Sequence, residues 1–289
     1  MKRNNKVGML LAAPFLVITA MIILASVNVI VQSFGYIPAF DLYEITPRYY
    51  IEVMKRPEFL KALGVSLRIS IISTIGAAVI GTILCAALVK LHKTRGGMLY
   101  IVRLPILVPH TVVAVFTLAI FSQTGIIARL AYTAGMIGDY TDFPLLLYSS
   151  NYVGVIVAYL WKEIPFIAYF TMALMSSVND TLGEAAENLG ASPLRSFWHI
   201  TLPLSLPAIA KATLIVFIFA FGAFDLPFLL GATTPKALPI YTYIDFIKPN
   251  LKDRPYAMAM NGITLIISLV MAVAYWILMK RLTKKLGGK

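Results

Sequence analysis

Charge is scarce in this sequence. Asp, Glu, Lys and Arg make up 13% of its 289 residues, about half the share in a soluble domain, while 59% of the residues are hydrophobic. That balance excludes an ordinary soluble enzyme folded round one buried core. Cysteine is scarcer still: Cys85 stands alone inside an apolar run, so neither an intrachain disulfide nor a cysteine metal site can form, and packing is its role. Acid is short relative to base, with 13 Asp and Glu against 25 Lys and Arg and a net charge of +12. A nucleic-acid binder can show such an excess, but here the charges sit in clusters between long apolar runs. That pattern marks the lipid bilayer as the surroundings and excludes nucleic acid as a partner. Missing too are a G-x-x-x-x-G-K-[ST] phosphate loop, a G-x-S-x-G elbow, an H-E-x-x-H pair and any cluster of metal ligands. The chain therefore has no cofactor, metal or catalytic residue of its own, and energy for active work has to come from a partner.

What is present is length without charge. A helix needs about 20 mostly apolar residues to cross the hydrocarbon. No charged residue lies between Lys6 and Asp41, Arg68 and Lys90, Arg103 and Arg129, or Arg254 and Lys280. Two further spans carry charges: Lys162 and Glu163 interrupt one, Lys211 and Asp225 the other. The expectation is an all-α integral membrane protein of one transmembrane domain, 1–289, with six helices at about 9–33, 64–90, 100–124, 151–177, 208–231 and 256–280. Lys2, Arg3 and Lys6 resemble the start of a signal peptide. The 34 uncharged residues that follow are far too many for its apolar region of about 7–15, and they read as an uncleaved first helix.

Charge sorting orients the spans. With the N-terminus inside, the inner segments hold Lys2, Arg3, Lys6, Lys90, Lys93, Arg95, Arg103, Arg195, Lys211, Lys280, Arg281, Lys284, Lys285 and Lys289 against three acids, Asp180, Glu184 and Glu187. The outer segments are nearly balanced. Both termini are thus expected in the cytoplasm. The largest outer segments, about 34–63 and 232–256, are too short for catalytic domains; the first reads as a structured surface loop with short helical pieces, and Tyr241 and Tyr243 in the second as part of an aromatic belt.

The inner segment 179–207 is too polar to span, and its helix punctuation is dense. Thr181 and Glu184 have the spacing of a capping box, which predicts a helix start. Gly190 is placed to end that helix in a left-handed conformation. Ser192 as N-cap and Pro193 at the first position begin a second short helix, which Leu202, Pro203 and Pro207 are expected to stop. Taken alone, this could be an ordinary inner loop in which Glu184 caps and Gly190 terminates.

Glu184-Ala185-Ala186, then Gly190, Ile200 and Leu202-Pro203 at their particular spacings, match the EAA motif of the permease subunits of type I ATP-binding-cassette importers. Leu104 to Pro109, Phe121 with Gly125-Ile126, and Trp161 with Pro165-Phe166 are similar to further landmarks of that family, so the resemblance covers nearly the whole chain. It implies a type I importer permease fold in the bacterial cytoplasmic (inner) membrane. Glu184, Ala185, Ala186, Gly190, Ile200, Leu202 and Pro203 would form the segment that docks on an ATPase subunit. Implied partners are ABC ATPase subunits carrying ATP and Mg, a second permease subunit as homo- or heterodimer, and an extracytoplasmic solute-binding protein.

Five residues are candidates for a solute pathway. Glu163 falls near mid-bilayer, where a charge faces the protein interior or water. It reads either as a pathway residue or, with Lys162, as part of a buried ion pair or of the capping of backbone freed by Pro165. Trp161 precedes it. Asp225, beside Phe224 and between Gly222 and Pro227, suits an amine by ion pairing and cation–π contact, or else ends its helix in water. His110 is a packing residue or a ligand. These acids and His110 also fit an ion-coupled secondary transporter, the rival class. For the solute, Leu189-Gly190-Ala191-Ser192 and Ala223 to Gly231 resemble polyamine-type permeases, which implies a polyamine or related amine-bearing solute; sugar, phosphonate, ferric ion and thiamine are the alternatives.

Overall fold

The computed structural model describes residues 5–94 and 96–286, with side chains from 11 to 94 and from 96 to 281. Of the charges that orient the chain, Lys2, Arg3, Lys6, Arg95, Lys284, Lys285 and Lys289 lie outside the described residues or side chains. The described residues fold into α1 (Asn5–Ser33), α2 (Arg48–Lys55), α3 (Pro57–Lys90), α4 (Gly97–Leu107), α5 (His110–Phe121), α6 (Ile126–Thr133), α7 (Val153–Val178), α8 (Glu184–Asn188), α9 (Pro193–Ser196), α10 (Leu202–Gly222), α11 (Asp225–Leu230), α12 (Leu238–Phe246) and α13 (Arg254–Leu286). Six helical runs are long and apolar enough to cross a membrane: Leu11–Ser33, Pro57–Lys90, His110–Thr133, Val153–Asn188, Pro193–Gly222 and Leu251–Arg281. The expected all-helical, six-span class is what forms.

Helices are the natural outcome because a hydrocarbon surrounding offers no partner to a free peptide group. Several hydroxyls within the spans obey the same rule and donate back to the preceding turn: Ser70 to Ser66 O (2.8 Å), Thr117 to Val113 O (2.8 Å), Thr171 to Ile167 O (2.8 Å) and Thr213 to Ile209 O (2.8 Å), whereas those of Thr74 and Ser205 are buried without a partner.

Four local expectations need correction. The stretch 100–124 is not one helix: α4 ends at Leu107, Val108 and Pro109 are extended, and α5 begins at His110. Proline at 109 pushes its predecessor out of the helical region and removes an N–H that a continuous helix would use. The fifth span starts at α9 and ends at Gly222 instead of running over 208–231, so Asp225 belongs to α11. Thr181 and Glu184 form no capping box. Thr181 donates to Ser177 O (2.7 Å) from within a π-helical turn, Asn179–Gly183, that carries α7 straight into α8. Likewise Leu202, Pro203 and Pro207 do not stop a helix. A second π-helical turn, Phe197–Thr201, joins α9 to α10, and its wider ring leaves room for Pro203, which sits in the first turn of α10.

The chain divides into two compact units, Met1–Leu60 with Tyr241–Ile266, and Lys61–Ile240 with Ile267–Lys289. In the first, the nearly buried Asp245 receives Arg56 (3.1 Å) and Lys248. Tyr256 donates its hydroxyl to Glu52, which also holds Arg48 at 2.7 Å. The tyrosine hydroxyl, and after it Arg48, keep the Glu52 carboxyl below its ordinary range. The second unit is organised on α7, whose buried side chains enter three apolar clusters: Val155 and Tyr159 pack with Ile69, Val113 and Leu226, Ile167 with Ala77 and Ala212, and Met172 and Met175 with Cys85, Leu88 and Ile209. Cys85 is fully buried there as a packing residue.

Glycine lets α3 approach α7 closely. A Cβ on Gly81 would stand 2.8 Å from the carbonyl oxygen of Ile164 and 2.9 Å from Ile167 Cβ, whereas one on Gly64 would meet nothing within 4 Å. Gly81→Val is therefore expected to lower stability by about 1–3 kcal/mol through overpacking against backbone. Gly64→Ala should leave it unchanged or slightly raised. Thermal unfolding of the detergent-purified protein checks both, and equal melting temperatures for the two variants would contradict the contact.

Candidate functional site

The break at Val108–Pro109 leaves a main-chain carbonyl without a helical donor. Lys162 of α7 supplies one, its ammonium donating to Val108 O. A cation at the C-terminal end of α4 is also well placed for the helix dipole. The backbone that needs capping is thus not that of α7 at Pro165, where the helix runs on, but that of the facing segment. Lys162 has no ion pair with Glu163.

Glu163 is 5% exposed, and neither carboxyl oxygen has a well-formed hydrogen bond: the hydroxyl of Ser73, the neighbouring donor, turns to Ser70 O (3.4 Å). One turn earlier, the buried Tyr159 hydroxyl is unpartnered as well. Glu163 lines a cavity of about 220 Å³ with His110, Lys162, Ile106, Phe166 and Phe219. The His110 and Phe219 rings are 5.0 Å apart. This cavity is the middle member of a row along α7. Beyond Lys162, Trp161 lines a cavity of about 200 Å³ with Phe116, Thr117 and Val157. On the other side, Ile106 and Phe166 also line a cavity of about 840 Å³ that extends past Arg103, Tyr169 and Phe170 to Ser176 and Asp180. Arg103 stacks 4.1 Å over the Tyr169 ring, and its Nε is buried without a partner.

The structure therefore brings His110 and Glu163 into one cavity, while Trp161, two residues before Glu163 and so on nearly the opposite face of α7, lines a separate one. Asp225 and Phe224, at the break between α10 and α11, line none of the three cavities but lie nearby: Asp225 is exposed and close enough for its charge to act on His110 and Tyr159, and Phe224 packs on the cluster around Tyr159 and stacks on Phe228 at 4.8 Å. Sequence reasoning missed Tyr159, Arg103 and the job of Lys162. One signal was there, since a proline at 109 announces a free carbonyl that needs a donor.

The second feature is the loop joining α7 to α10. Gly190 has φ +95°, its N–H bonds to Glu187 O (3.0 Å), and the N–H of Ala191 bonds to Ala186 O (3.0 Å). Those two bonds make a Schellman end to α8. Ser192 caps α9 by accepting from Arg195 N–H (3.3 Å), with Pro193 at the first position. The arms are clamped where Ser196 donates to Gly183 O (3.0 Å), and the fit at Gly183 is close, a Cβ there lying 3.2 Å from both Asn179 Oδ1 and Thr201 Oγ1, which would have to give by a few tenths of an ångström. Glu184 and Ala185 are exposed, and Ala186 and Ile200 half-buried. Leu202 packs into the cluster around Cys85 and, with Pro203, forms the root of the loop. Large apolar side chains face out at its tip: Leu189 is 90% exposed, with Leu194 and Trp198 also exposed. These three were not singled out by the motif.

The model of the binding-protein-dependent transport system inner membrane component family matches residues 78–284. The spermidine/putrescine transport system permease protein PotB of Escherichia coli K12 is 27% identical over 232 residues, 79% of this chain and 81% of that protein. The putrescine transport system permease protein PotI of the same strain is 26% identical over 246 residues, 82% and 79% of the two chains. The probable sulfate transport system permease protein cysT of Marchantia polymorpha is 26% identical over 220 residues, 75% and 73%. Among solved structures, a bacterial ABC transporter involved in import of the acidic polysaccharide alginate superposes with a TM-score of 0.76 at 21% identity, over 96% of this chain and 98% of that one. The same TM-score is found for an alginate ABC transporter in complex with its alginate pentasaccharide-bound periplasmic protein. That likeness shows the fold.

If Lys162 holds the Val108–Pro109 break, Lys162→Met removes the donor and destabilises the protein by about 1–3 kcal/mol. Amide exchange at His110 and the following residues should rise in the same variant. A melting temperature and exchange pattern like those of the unaltered protein would contradict the role.

Proposed function

The chain belongs to the family of binding-protein-dependent transport system inner membrane components, and on that premise we propose how this importer permease works. It pairs with a second permease, receives solute from an extracytoplasmic binding protein, and couples to separate ATPase subunits through the loop around Gly190. The termini lie in the cytoplasm, as the charge distribution requires. Leu189, Leu194 and Trp198, with Glu184, Ala185 and Ala186, form the surface that meets the ATPase.

One observation carries this reading. The helical run Val153–Asn188 bears Trp161, Glu163, Phe166 and Tyr169 of the cavity row and ends in α8, and the run Pro193–Gly222 bears Phe219 and begins in α9. Two of the walls of the middle cavity, those from α7 and α10, therefore continue helically into the loop, while α4 and α5 supply the rest. Glu184 lies 21 residues beyond Glu163, about 32 Å along a helix at 1.5 Å per residue. A displacement imposed on the clamped loop by closing ATPases is thereby delivered to the cavity walls as a rigid motion. ATP-driven closure turns the path outward, and hydrolysis resets it. For the solute, the buried acid at Glu163 and the exposed Asp225 with its aromatic neighbours support a polyamine or a related amine-bearing molecule.

Gly190 offers a clean test, because a Cβ there meets nothing and only the backbone conformation is strained. Gly190→Val costs about 1–2 kcal/mol locally through the left-handed conformation. It should leave the spans folded while cutting solute-stimulated ATP hydrolysis and uptake at least tenfold in proteoliposomes. Unchanged uptake and stimulation would sink the coupling role, and uptake driven by an ion gradient with no ATPase subunit present would favour a secondary transporter.

A further inference from the structure

The two cavities that share Ile106 and Phe166 are each lined by a charged side chain with a buried polar atom lacking a partner, and the signs are opposite. In the smaller, Glu163 buries two carboxyl oxygens with no partner; in the larger, Arg103 buries its Nε with no partner. Lys162 lines the smaller cavity as well, with one of its three N–H groups already given to Val108 O. Polar groups buried in this way are normally satisfied, because each one left unpaired costs about 1–3 kcal/mol. A path for a plain diamine would gain from acids and open aromatic faces. Here, however, Arg103 adds a fixed positive charge and itself covers the Tyr169 ring on which an ammonium would otherwise rest. A path for a plain anion would be opposed by Glu163 in the same way.

We propose that the cargo carries both charges: an amine whose other end is a carboxylate or similar oxyanion, its ammonium meeting Glu163 and its anionic end the guanidinium of Arg103. The inference rests on the reading of the chain as a permease and narrows the amine-bearing solute to a zwitterionic class. Arginine suits the second contact, as its planar fork grips an oxyanion through parallel N–H bonds. Tyr169, under Arg103, follows Glu163 by six residues, roughly 9 Å along the helix. The two charges of the cargo are therefore separated by several carbons, and Phe166, which borders both cavities, covers the apolar chain between them.

The assembled transporter in proteoliposomes, with its binding protein outside, tests this with three six-carbon probes that differ only in their ends: 6-aminohexanoate, 1,6-diaminohexane and hexanoate. The expected result is ATP hydrolysis stimulated several-fold more by 6-aminohexanoate than by either other probe, with Arg103→Gln removing most of that response and Arg103→Lys restoring part of it. Should the variants fail to assemble, the three-probe comparison on the unaltered transporter decides alone. A stronger response to the diamine, or none to 6-aminohexanoate, overturns the zwitterion inference and leaves the importer reading intact. ATP hydrolysis indifferent to the binding protein, loaded or empty, overturns both.

Discussion

The constraint on which the rest of the molecule depends is that backbone in an apolar surrounding has to find its hydrogen bonds within the chain. Wherever the spans stay helical the demand is met locally. Where Pro109 interrupts one, it is met across space by Lys162. That single bond ties the broken third crossing to α7, sets His110 at the start of a new helix, and leaves Glu163 on the neighbouring face without the lysine as a partner. The row of cavities follows from the same break, since α4 and α5 no longer form one cylinder against α7 and side chains from both halves line the spaces between.

A similar economy governs the loop. Two π-helical turns replace the helix ends that the sequence suggests, and they keep α7 with α8 and α9 with α10 as continuous runs. The only sharp reversal is at Gly190, where a positive φ is required, and the arms are clamped at Gly183 and Ser196. A loop of this kind transmits a push, whereas one hinged at each end would absorb it. The glycine at 183 lies just outside the familiar motif, which shows how a residue can matter by having no side chain where a second arm passes.

Much of this was legible in the sequence, for identifiable reasons. Long runs with little or no charge announced six spans because the bilayer demands apolar length and little else. Gly190, Ser192 and Pro193 were readable because their chemistry acts within a few residues. The failures share the opposite property. Thr181 with Glu184 satisfies the spacing of a capping box, but helix continuity through a π-helical turn gave Thr181 a carbonyl to bond instead. Prolines 203 and 207 looked like stops because the wider turn ahead of Pro203 is set by packing between the arms. The partner of Lys162 is 54 residues away, and that of Arg103 is 66 residues away on another helix. Side-chain pairings across such separations leave no local mark.

The claim that holds the account together is that the tip of the α8–α9 loop is the contact with the ATPase. Site-directed cross-linking tests it most directly: with Cys85 replaced by alanine, a single cysteine at position 189 or 192 is joined to cysteines on the ATPase surface in the assembled transporter. The account predicts efficient cross-links from both positions, whose yield changes when ATP is bound. Absence of cross-links from both, in a complex that still hydrolyses ATP in response to loaded binding protein, would contradict it.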